Sequence, residues 1–80
     1  MAAITNFNCS THAKRRIEER GLSLDEMKNV LKYPDSKRWQ YRGEHGGVVF
    51  RFAKAAGGRK LTVVAEVKKS DCWILTGYYE

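Results

Sequence analysis

Eighty residues with 42% hydrophobic content and nine aromatics allow one small core and exclude a second. Fifteen Lys and Arg against nine Asp and Glu leave a formal net charge of +6, so a polyanion such as nucleic acid is a natural partner class. No apolar run approaches the ~20 residues of a membrane-spanning helix, which excludes that class and predicts no membrane partner.

The basic residues are spread over several segments, which predicts a folded basic surface and not a charged tail. The competing reading is a soluble protein that is simply basic. Cys9 and Cys72, in a chain without an apolar signal segment, read as free thiols of a cytoplasmic protein. Cys9, His12, His45 and Cys72 lack the second close-spaced pair of a zinc site, so neither metal nor cofactor is expected.

In chain order, Met1–Asn8 brings Ile4 and Phe7, which either pack under the first helix or add a short edge segment. Ser10 as N-cap and Gly21 as a left-handed C′ residue bracket a first helix at about 11–20. On it His12, Arg16 and Arg20 form one stripe, and Ala13 and Ile17 a narrow apolar one. Ser23-Leu24-Asp25-Glu26 reads as a capping box, with Leu22 and Met27 as its hydrophobic staple. Leu24, Met27, Val30 and Leu31 then make the apolar face of a second helix at about 23–33, which Pro34 ends.

After Pro34 the period changes to two, with strands expected at about 38–42, 48–53, 61–67 and 73–79. Short connections favour an antiparallel meander. The predicted architecture is a single α+β domain over 1–80, with two helices on one face of an antiparallel sheet of about four strands. Val48, Phe50, Leu61 and Val63 mark the inner face. Arg51, Thr62, Glu66, Thr76 and Tyr78 fall on the other, an arrangement suited to a phosphodiester backbone. In the last strand, strict alternation sets Trp73, Leu75, Gly77 and Tyr79 against Ile74, Thr76 and Tyr78.

Through Ser10, His12, Ala13, Arg16, Arg20, Gly21, Pro34, Val63, Val64, Leu75, Thr76 and Tyr78, the chain resembles a small bacterial and phage family of unknown function. That family is similar to the RelE, ParE and BrnT toxins and, more broadly, to barnase- and colicin-type ribonucleases. The resemblance runs from about Asn8 to Tyr79. It implies a RelE-like toxin acting as a metal-independent endoribonuclease on RNA, free or ribosome-bound, and held in check by a cognate antitoxin.

Metal-free RNA cleavage needs a base for the 2′-hydroxyl, cations for the phosphorane charge and an acid for the 5′-oxygen. His12 is the candidate base, since a helix N-terminus favours the neutral imidazole. Arg16 and Arg20 are candidate phosphate clamps, with Lys14, Arg15 and Arg51 extending the nucleic-acid surface. Thr76 and Tyr78 are candidate donors to a phosphate oxygen or the sugar. Glu66 is a second candidate base or the ion-pair partner of Arg51. Each has a plainer alternative. His12 then only solvates a helix end, Arg20 is a structural arginine on Glu19 or a backbone carbonyl, and Thr76 is a strand residue. Trp39, Tyr41, Trp73 and Tyr79 read as packing residues and His45 as solvent-exposed and idle. The alternative function is a non-catalytic basic module that binds nucleic acid or an acidic protein partner.

Overall fold

Local signals set the first half of the chain. In the computed structural model, which describes residues 4–80, α1 spans Thr11–Glu19 and α2 spans Leu24–Lys32. Ser10 Oγ accepts the Ala13 N–H at 3.1 Å, and Gly21 takes a φ of +67° just past the C-cap, as its lack of a side chain permits. Ser23 caps α2 through the Glu26 N–H, but the return arm of the capping box is not formed among the described residues. The Glu26 carboxylate instead accepts from the Tyr79 hydroxyl at 2.8 Å, a partner that only the folded sheet supplies. Ala13, Ile17, Leu22, Met27, Val30 and Leu31 are buried, whereas Leu24, at the first turn of α2, is exposed.

Five strands follow the order β1-β5-β4-β3-β2, where β1 is Asn6–Cys9, β2 Ser36–Arg42, β3 Val48–Ala56, β4 Arg59–Lys68 and β5 Asp71–Tyr79. β2 to β5 form the expected antiparallel meander. The sheet nevertheless has five strands and is mixed, because β1 adds in parallel along β5, Phe7 opposite Cys72 and Cys9 opposite Ile74. The structure takes the edge-segment alternative for this stretch, and since Asn-Phe-Asn-Cys carries too little periodicity of its own, β1 exists because β5 offers it a ladder. Of the Met1–Asn8 segment, residues 1–3 lie outside the described residues.

The core lies between the helices and one sheet face, where Ile17, Met27, Val30 and Leu31 meet Phe52, Leu61, Val63, Ala65, Cys72 and Ile74. Strict alternation fails in β5. The β4–β5 register shifts between Val64 and Ala65, so that Ile74 pairs with Ala65 while Thr76 pairs with Val64. This bulge lets Ile74, Gly77 and Tyr79 share the helix-facing side, and leaves Trp73 on the outer side with Thr76 and Tyr78. Gly77 sits where α2 presses closest, since a Cβ there would lie 2.6 Å from Met27 Cε.

Candidate nucleic-acid interface

The outer sheet face is built on Thr62, Val64 and Glu66 of β4, flanked by Ala53, Arg51 and Val49 of β3 and by Tyr78, Thr76 and Trp73 of β5. Across β3, Arg51 stands directly opposite Arg38 of β2. Like charges paired across strands repel, and no carboxylate lies in ion-pair range of either guanidinium among the described residues. The two arginines line a groove of about 400 Å³ together with Ser36, Ala53, Lys60, Thr62 and Glu80. Lys60 is paired with Glu80 at 3.2 Å on the rim. Thr62 is buried and its hydroxyl has no hydrogen-bond partner among the described residues.

Glu66, read from sequence as a second base or as the partner of Arg51, makes no ion pair with Arg51 among the described residues and turns its carboxylate to the β2–β3 loop. It is 1% exposed, and its Oε2 accepts the His45 and Gly47 N–H groups at 2.9 Å each. A buried carboxylate is tolerable only when so bonded. The loop closes over it because Gly43 has no side chain: a Cβ there would overlap the Glu66 carboxylate. Held in this way, His45 lies flat on Trp73, ring centroids 4.3 Å apart and planes 8° from parallel. His45 is therefore exposed but not idle, and Trp73 stacks on a ring of the outer face.

The first-helix cluster does not assemble as expected. His12, in the first turn of α1, is exposed and makes no side-chain hydrogen bond among the described residues. Lys14, Arg15 and Arg16 are exposed along the same helix, with no ion pair among the described residues. Arg20 alone reaches the sheet, where its guanidinium donates to Thr76 Oγ1 at 3.2 Å and to the Gly77 carbonyl at 2.8 Å. This is the structural reading of Arg20. β1 covers β5 only as far as Ile74, so the Gly77 carbonyl lies on an edge that no strand pairs among the described residues, and the arginine covers it. Thr76 is thereby engaged by Arg20 rather than by His12. Tyr78, opposite Thr62, remains with Arg51 on the outer face, half-buried.

The basic outer face and the helix-capped edge thus occupy one continuous α+β scaffold. The chain belongs to the family described as a domain of unknown function (DUF4258). The family model matches residues 9–79, which takes in both helices and β2 to β5 and only the last residue of β1. No curated protein and no solved structure matches the chain.

Among the described residues, no three His, Cys, Asp or Glu gather as a metal site would require, and Cys9 and Cys72 are free thiols. Burial pushes the Cys72 thiol up to about 12. Among the described residues no helix is long and apolar enough to cross a membrane.

Sequence reasoning missed Arg38, Lys60 and the His45–Trp73 stack. The alternation of β2 was the available signal for Arg38, but its register against β3 is a tertiary fact.

Proposed function

We propose that this DUF4258 chain acts on RNA as a cytoplasmic binding module, taking the phosphodiester backbone on the sheet face opposite its helices. The observation that carries the reading is the Arg38–Arg51 pair, two unneutralised guanidiniums directly opposed in one groove. Such a pair costs stability in the free protein and is relieved by a bound polyanion. The unpartnered Thr62 hydroxyl beneath the same groove adds a second group that a ligand oxygen satisfies after a small shift of the floor.

A second reading, the metal-independent endoribonuclease of a RelE-like toxin with an antitoxin partner, is favoured by Tyr78, whose strand position puts a phenol on the same face as Arg51. In that reading Tyr78 donates to a phosphate oxygen and the arginines hold the phosphorane charge, while water takes the 2′-hydroxyl proton and returns one to the departing 5′-oxygen, because His12 stands exposed on α1.

Fluorescence anisotropy with a labelled single-stranded oligoribonucleotide across a salt series tests the first reading. Affinity is expected to fall steeply with salt, and the Arg38→Gln, Arg51→Gln double variant to flatten the log–log slope by roughly 1–2. No binding, or a slope unchanged by both substitutions, overturns it. Cleavage of an RNA pool in EDTA, lost in Tyr78→Phe, would establish the second.

A further inference from the structure

The turn joining β2 to β3 is anchored more firmly than a chain reversal requires. Glu66 and Thr62 are the buried polar residues among those described, and the Glu66 carboxylate is spent on the N–H groups of His45 and Gly47. The outcome is one fixed placement: the imidazole parallel to the Trp73 indole at 4.3 Å. One imidazole face is covered by the indole. The residue as a whole is exposed, which leaves imidazole surface beyond that stack accessible to a further ring.

Trp73 pairs with Glu66, one same-face step along β4 from Val64, which pairs with Arg51 on the other side. With strands ~4.8 Å apart and same-face residues ~6.8 Å apart, the Trp73 and Arg51 backbones are about 12 Å distant. An arginine side chain and one extended nucleotide bridge that gap. Flat rings beside a basic track are the means by which unstacked bases are held without sequence preference.

The geometry points to His45, stacked on Trp73 and pinned by Glu66, as the platform for one nucleobase of a single-stranded RNA whose backbone crosses Arg51 and Arg38. This inference rests on the RNA-binding reading above and narrows it to single strands, because a duplex keeps its bases stacked on one another. Glu66 is a positioning residue here, acting only through the turn it holds.

The test uses the full chain carrying Trp39→Phe, which leaves Trp73 as the single indole of the two in the sequence. Single-stranded oligoadenylate and an RNA duplex of equal length are titrated, following Trp73 emission and anisotropy. Oligoadenylate is expected to change Trp73 emission and duplex to leave it unaltered. His45→Ala should weaken oligoadenylate binding about ten- to a hundredfold while duplex affinity and the salt slope stay as they were. His45→Phe, which restores a flat ring, should recover most of the loss, and Glu66→Gln should weaken only the single-stranded probe. Equal response to both probes, or an unchanged affinity in His45→Ala alongside intact dependence on Arg51, overturns the platform and leaves the binding reading standing. Failure of the parent chain to bind either RNA overturns both.

Discussion

Thr62 and Glu66 occupy equivalent positions on β4, two strand turns apart, and both are 1% exposed. One is satisfied and the other is not. Glu66 receives two backbone donors from a loop whose glycine lets it approach, while the Thr62 hydroxyl is covered without a partner. An unsatisfied buried hydroxyl costs about 1–3 kcal/mol, and removing it in an isosteric side chain recovers part of that. Thr62→Val is therefore expected to stabilise the protein by about 1 kcal/mol, raising the midpoint of thermal unfolding by several degrees. A lower midpoint would show that the hydroxyl has a partner in solution.

Arg20 shows how one side chain completes an element. β5 is nine residues long and β1 four, so the β5 edge beyond Ile74 has no strand beside it among the described residues. The guanidinium on Thr76 and Gly77 satisfies part of that edge and ties α1 to it. Arg20→Ala is expected to cost about 1–2 kcal/mol in urea unfolding, a figure held low because the side chain is exposed. Arg20→Lys should recover only part, since an ammonium lacks the guanidinium fork. At the opposite edge, β2 carries Lys37, whose ammonium lies 4.2 Å from the Phe50 ring centroid. It covers an aromatic flank that the helices leave open, and its charge discourages pairing with another strand. Within the sheet, the Arg38–Arg51 pair opposes folding. Arg51→Gln should raise stability by about 0.2–1 kcal/mol and, under the proposed RNA-binding function, weaken RNA binding, a trade-off that denaturation and anisotropy on the same preparation would expose.

For the whole molecule, stability is expected to fall at alkaline pH through groups whose proton the fold retains. Cys72 lies fully buried between β1 and β4, and its thiol is pushed from an ordinary value of 9.0 to about 12. A raised folded value means that the folded chain keeps its proton where the unfolded chain has lost it. The contribution is complete below about pH 9 and is lost as pH rises toward 12. Tyr79, raised through its hydrogen bond to Glu26, acts in the same direction. Urea midpoints are expected to fall above pH 9 and to fall less steeply in Cys72→Ala. Identical slopes would place the thiol in contact with water. In the native protein near neutral pH, thiol reagents should reach Cys72 only through unfolding.

The sequence by itself determined the parts that rest on neighbouring residues: both helices, the caps at Ser10 and Ser23, the left-handed Gly21, the stop at Pro34 and the four-strand meander. Each depends on dihedral preference, capping chemistry or periodicity within a few positions. Tertiary structure decided what the sequence left open. It recruited β1 to a ladder offered by β5, inserted the bulge that turns Ile74 inward and Trp73 outward, and set Arg38 against Arg51. Of the candidate residues read on the first helix and the outer sheet face, it gathered Arg51, Thr76 and Tyr78 on one face and left His12 and Arg16 exposed on α1, because strand register is set by contacts distant in sequence. A one-residue shift in register reverses which face every later side chain occupies. The burial of Glu66 beneath Gly43 and the imidazole it fixes on Trp73 join residues from three separate segments, and only the folded sheet brings them together.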